Sequence, residues 1–140
     1  MHIEKEYVNN HLEELVQIWL QSNIDAHDFI PKEYWESYVP FVKQALPNAM
    51  LFCEGKPIKG FLGISDGLIE GLFVSKEFRK QGIGKKLMQE VKKQFDTLSL
   101  YVYAKNKNAV AFYKNMGFVV EKEGIQEETG ESEYFMTWKK

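Results

Sequence analysis

Leu72-Phe73-Val74-Ser75-Lys76-Glu77-Phe78-Arg79-Lys80-Gln81-Gly82-Ile83-Gly84-Lys85-Lys86-Leu87 passes from an apolar run through a charged turn into a segment opening on two glycines and two lysines. The pattern predicts a strand, a turn and the start of a helix. The first amides of a helix have no intrahelical acceptor, and the helix dipole places partial positive charge beside them. Glycine admits an anion to the backbone where a Cβ would obstruct it. Arg79, Lys80, Lys85 and Lys86 add side-chain charge around the same point, with Gln81 and Ile83 between them. Cations in the first helical turn oppose the dipole, and a phosphate would relieve that conflict. The stretch therefore reads as a loop that holds phosphate.

Glycine spacing narrows the ligand. A P-loop needs GxxxxGK followed by Ser or Thr; here Gly84-Lys85 is followed by Lys86, with no hydroxyl for magnesium. A dinucleotide-binding turn needs GxGxxG, and Leu87 occupies the third glycine position. What remains is Arg79-x-x-Gly82-x-Gly84 at the head of an amphipathic helix. A second pattern follows downstream: Asn106, Ala109, Phe112, Tyr113, Gly117 and Phe118, spaced as NxxAxxFYxxxGF. Asn106 falls between a strand and a helix, so its amide can cap the helix or bond an extended ligand. Ala109, Phe112 and Tyr113 recur at three and four residues and share one helix face. Gly117 suits the left-handed position after a helix.

Together these two motifs resemble the acetyl-coenzyme A signatures of the GNAT superfamily of N-acetyltransferases. The first matches its pyrophosphate loop; the second matches its other signature position for position. Ala26-His27-Asp28-Phe29-Ile30 and the run Leu68 to Val74 look like the small bacterial YjaB-type members. The resemblance implies a mixed α/β fold with a mostly antiparallel sheet of about seven strands flanked by four helices. It also implies that the fourth and fifth strands splay apart around the pantetheine arm. By periodicity alone, the chain supports only a mixed α/β domain with a largely antiparallel sheet.

Chain length and composition agree with that class. The 140 residues suit one domain spanning 1–140, with 44% hydrophobic and 27% charged residues. A net charge of -2 makes the basic cluster local and gives no reason to expect nucleic acid. One cysteine allows no intramolecular disulfide, and no Cys/His cluster suggests a metal. Cys53, inside Ala49-Met50-Leu51-Phe52-Cys53, reads as a buried strand thiol. No apolar run approaches membrane-spanning length, and no signal peptide is expected, so a cytoplasmic location is expected.

Periodicity predicts a strand over 2–7, a helix over 11–23 and a loop over 25–30. A helix over 31–46 should kink or divide at Pro40. Strands follow over 50–54, 58–65 and 68–74, joined at Gly55-Lys56-Pro57 and Asp66-Gly67. A helix over 84–95, a strand near 98–102, a helix over 108–116 and a final hairpin complete the order.

Transfer of an acetyl group from a thioester to an amine sets three demands. The amine must lose a proton, the carbonyl oxygen must be stabilised, and the departing thiolate must be protonated. Tyr113 is the candidate acid, its hydroxyl implied by the resemblance to face the coenzyme sulfur. Glu70, the only ionisable residue in the apolar run 68–74, is the candidate base. It also fits a strand-end glutamate at the sheet edge. His27, which titrates near neutrality in a loop on the acceptor side, competes for the same role. The resemblance implies that the backbone of Phe73 and Val74 binds pantetheine and polarises the thioester. It implies cofactor contacts from residues 79–86, Asn106, Ala109, Phe112 and Tyr113, and acceptor contacts from His27, Phe29, Trp35 and Glu70.

Tyr34 and Tyr38 are further acceptor-side candidates, or packing residues. The acidic final hairpin, including Glu127 and Glu128, reads as a solvated surface that could also attract a cationic acceptor. Acetyl-CoA and an amine, small or on a peptide, are the implied partners, with attack inside a ternary complex and no metal. Oligomeric state, a homodimer included, stays open. The other readings are a coenzyme A-binding sensor without turnover and a nucleic-acid-binding domain using the basic stretch. The intact second motif disfavours both.

Overall fold

A computed structural model describes residues 2–140, and its sheet is assembled mostly from chain neighbours. The elements are β1 (His2–Ile3), α1 (Lys5–Asn10), α2 (Leu12–Ala26), α3 (Lys32–Ser37), α4 (Val39–Ala45), β2 (Met50–Glu54), β3 (Gly60–Ser65), β4 (Leu68–Val74), α5 (Ile83–Lys92), β5 (Thr97–Tyr103), α6 (Lys107–Asn115), β6 (Val119–Ile125) and β7 (Ser132–Lys139). Short 3-10 turns cover Leu46–Asn48 and Lys76–Phe78. The seven strands lie in the order β1-β2-β3-β4-β5-β7-β6, antiparallel except where β4 meets β5.

Both sheet faces are covered, which explains why the central strands carry so few polar residues. Along β2, Leu51 and Cys53 face a core built with Leu15, Val16 and Ile18 of α2 and Val42 of α4. Phe52 faces the other core, with Leu87, Met88 and Val91 of α5 and Val110 and Tyr113 of α6. This alternation is the period-2 geometry of a pleated strand.

At the N-terminal end one expectation changes and another, the division near Pro40, is met. The expected strand over 2–7 stops at Ile3, which pairs with Leu51, and the chain turns into α1. Tyr7, Val8, Leu12 and Leu15 follow helical spacing, and the Tyr7 and His11 rings stack at 4.0 Å. The helix expected over 31–46 divides at Tyr38, with Pro40 in the first turn of α4, where its missing N–H costs nothing. The added α1 and the division at Tyr38 give six helices from four predicted segments. Asp25 and Ala26, expected in a loop, finish α2.

Candidate functional site

The site forms where β4 and β5 part. They pair only at Leu68↔Ser99 and Ile69↔Leu100, while β4 stays paired to β3 along its whole length. The splay implied by the resemblance is thus present. Gly63 pairs with Gly71 but Ile64 with Ile69, so Glu70 is the extra residue of a β-bulge. A regular strand would place Glu70 on the face shared by Leu72 and Val74. The bulge turns it to the opposite face, with Phe73. Phe73 in turn lies across Gly71, where an added Cβ would come within 2.0 Å of its ring.

Backbone direction along β4 refines the expected pantetheine contacts. Ser75 N–H donates to Lys59 O at 2.8 Å. Bonded and non-bonded pairs alternate in an antiparallel ladder, so Phe73 spends its peptide groups on Phe61 of β3. Leu72 and Val74 therefore present theirs to the gap. Val74 O accepts from Ser22 Oγ at 3.3 Å and from Arg79 Nε at 3.2 Å. Of the expected pair, Val74 turns its peptide groups to the gap and Phe73 turns its own to β3; Leu72 also faces the gap.

On the α5 and α6 side, the gap opens into a cavity of about 820 Å³. Its walls include Leu72, Val74, Arg79, Lys80, Gly82, Ile83, Gly84, Lys85, Asn106, Ala109, Phe112 and Tyr113. Gly82, at φ +80, and Lys80, at φ +63, turn the chain through left-handed backbone into α5. Lys86 N–H is the first amide of α5 to find a helical acceptor, donating to Gly82 O at 3.0 Å. The amides of Ile83, Gly84 and Lys85 thus leave the helix end towards the cavity side. Five basic residues line this space (Arg79, Lys80, Lys85, Lys105 and Lys107) against two acids, Asp25 and Asp28. Arg79 is partly committed to Asp25 at 3.2 Å. Two expected contributors do not line it. Lys86 pairs with Glu54 at the end of β2, and Gln81 donates to Glu77 O at 3.3 Å.

Tyr113 stands at the inner end of this cavity, 8% exposed. Its ring packs on Phe112 and Phe118. Its hydroxyl has no hydrogen-bond partner among the described residues, and burial pushes its pKa up to about 12. Asn106 caps α6, its Oδ1 accepting from Ala109 N–H at 3.3 Å. Its Nδ2 meets His27 Nε2 at 3.4 Å.

His27 lies at the C-terminal end of α2, 8% exposed, with its ring stacked on Trp35 at 4.9 Å. Nδ1–H donates to Asn23 O at 2.8 Å, which assigns the proton to that nitrogen and leaves Nε2 to accept. Burial lowers its pKa, partly opposed by the Asn23 bond. His27 and Phe29 line neither of the two cavities described here. Nδ1 is spent within α2 on Asn23, and Nε2 ties the end of α2 to Asn106 at the head of α6, so both ring nitrogens have partners inside the protein. A stability signature follows. The unfolded chain protonates His27 near 6.5 and the folded chain only at lower pH. This residue's contribution is therefore complete above pH 6.5 and is lost as pH falls through the depressed folded value. Thermal unfolding against pH should show a smaller acid-side decline for His27→Gln than for the parent. Identical declines would mean His27 takes up its proton equally in the folded and unfolded states.

The opposite face of β4 borders a second cavity, of about 710 Å³. Glu70, Phe73, Phe61, Trp19, Tyr34, Trp35, Tyr38 and Phe41 line it, with Asp66 and Glu128. Three of its lining residues are acidic and none is basic. The sequence marked Trp35, Tyr34 and Tyr38 but not Trp19, Phe41 or Phe61, whose apolar spacing reads as core. In the first cavity it missed Ser22, Asp25, Asp28, Lys105 and Lys107, none of which is a defined position of either motif; only Lys105 and Lys107, flanking Asn106, carried a positional hint.

The family profile described as "Acetyltransferase (GNAT) domain" matches residues 7–140. The chain is 34% identical over 138 residues to the peptidyl-lysine N-acetyltransferase YiaC of Escherichia coli K12, covering 96% of this chain and 94% of that protein. Its fold superposes on the solution structure of apo-form YjaB from Escherichia coli with a TM-score of 0.82 at 27% identity, covering 98% and 94% of the two chains. The fold of the Thermoplasma acidophilum PaiA N-acetyltransferase, solved in complex with coenzyme A, matches with a TM-score of 0.78 at 24% identity over 99% and 96%. With the splayed strands, the glycine-led helix and a profile match over nearly its whole length, the chain belongs to the GNAT acetyltransferase family.

Proposed function

We propose that this GNAT-family chain transfers the acetyl group of acetyl-CoA to the side-chain amine of a peptide lysine, by direct attack in a ternary complex. One observation carries the reading. Two cavities of opposite charge flank β4, the basic one on the α5 and α6 side and the acidic one opposite. A pyrophosphate suits the first and an alkylammonium the second. The name of YiaC supports lysine as the acceptor. Intact Tyr113 and Glu70 favour turnover over a silent coenzyme sensor. We read residues 1–140 as one catalytic unit acting in the cytoplasm.

Acetyl-CoA supplies an activated thioester. The amides of Ile83, Gly84 and Lys85 and the cations of Arg79, Lys80 and Lys85 bind its phosphates. Leu72 and Val74 align the extended arm through main-chain bonds, and an N–H in the gap stabilises the carbonyl oxygen as charge develops there. Glu70 accepts the ammonium proton, directly or through water. Tyr113 holds the proton that the departing sulfur requires.

The first test is binding. Gly82→Leu and Gly84→Leu should each abolish the acetyl-CoA-induced rise in melting temperature while leaving the circular dichroism spectrum unchanged. Gly82 has nothing within 4 Å of an added Cβ, and at Gly84 the nearest atoms are 3.5 Å away. Left-handed strain at residue 82 costs about 1–2 kcal/mol, too little to unfold a typical domain. Normal acetyl-CoA binding by both variants would disprove the phosphate-loop assignment.

A further inference from the structure

The acidic cavity is closed on one side by a contact between distant parts of the chain. Tyr38, between α3 and α4, donates its hydroxyl hydrogen to Glu128 Oε2, and both residues line the cavity. Glu128 sits in the loop between β6 and β7, and that loop is anchored. Gln126 Oε1 accepts from Tyr103 Oη at 3.0 Å and from Thr129 Oγ1 at 2.6 Å, while Glu131 pairs with Lys105 at 3.1 Å. Glu128 is thus presented from a fixed position.

Its position also separates it from the chemistry. The reacting amine must become neutral, and a carboxylate that only pairs with the ammonium stabilises the charged, unreactive form. Glu70, on the strand that leads into the splay, is placed to remove that proton. Glu128 stands on a different element, and the cation it takes is a second one. Trp35 adds an independent indication. It is nine-tenths buried, lines the same cavity, and its Nε1–H is a buried donor with no partner among the described residues. An indole N–H can only donate. A peptide offers carbonyl acceptors for such a donor; a polyamine offers no oxygen.

We propose that Glu128, held by Tyr38, reads a basic residue flanking the target lysine, so that the substrate is a lysine in a basic stretch of peptide. This rests on the lysine reading above. Acetylation of three lysine peptides that differ only in their flanking residues (arginine, alanine or glutamate), with spermidine alongside, tests it through kcat/KM. The arginine-flanked peptide should exceed the glutamate-flanked one by roughly two- to fivefold, within the range of an exposed charge pair. The ratio should shrink as salt rises and contract in Glu128→Gln. Glu128→Lys should reverse the preference, a result that a misfolded variant cannot produce. Equal kcat/KM for the three peptides, or the same ratio in Glu128→Gln as in the parent, overturns this inference and leaves the lysine reading standing. Turnover of spermidine with none of the peptides overturns both.

Discussion

Tyr113→Phe should lower kcat by about 10²–10⁴-fold, the usual contribution of a positioned acid, while the affinity for acetyl-CoA should change little. The variant removes a single oxygen whose hydrogen-bonding capacity the described residues leave unused. It keeps the ring that packs on Phe112 and Phe118 at centroid distances of 5.4 and 5.8 Å. Packing and cofactor binding are thereby separated from proton donation. The pKa pushed up to about 12 by burial keeps the phenol protonated throughout the working range, so no alkaline limb below pH 10 should come from this group. Free-thiol release gives the rate, and calorimetry gives the affinity. An unchanged kcat would show that solvent protonates the thiolate. A loss of affinity matching the loss of rate would show that the side chain serves binding.

Glu70→Gln should depress kcat/KM by about 10²–10³-fold near neutral pH and recover as the solution turns alkaline. The magnitude follows from the acceptor. A lysine amine with a pKa of about 10.4 is about 0.1% neutral at pH 7.4, and that fraction rises roughly tenfold per pH unit. A variant without its base relies on this fraction, so its deficit should close towards pH 10. His27→Gln should show no such rescue, because the parent ring is buried with both nitrogens engaged inside the protein. Parallel pH profiles for the parent and both variants would mean the proton leaves through water to bulk solvent. Glu70 would then only orient the acceptor.

The two motifs were legible because their chemistry is local. A helix start exposes its own amides, and glycine at residues 82 and 84 is read from composition and spacing alone. The same holds for Asn106, whose capping bond reaches only three residues along the chain. Strand and helix periods located most elements for the same reason. They failed at 2–7, where a short segment fits either period and the pairing of His2 and Ile3 with β2 decides the boundary.

The sequence by itself determined a glycine-led anion site, a helix carrying Tyr113 and a carboxylate in an apolar strand. Tertiary structure decided where that carboxylate points. Strict alternation would place Glu70 beside Leu72 and Val74; the bulge against Gly63 moves it to the opposite face, beside the second cavity. It also set His27 against Asn106 and Tyr103, some 80 residues away in the chain. It tied Glu128 to Tyr38 across 90 residues and so built the acidic cavity. Such assignments depend on strand register and on long-range packing, and neither leaves a local trace in the residues concerned.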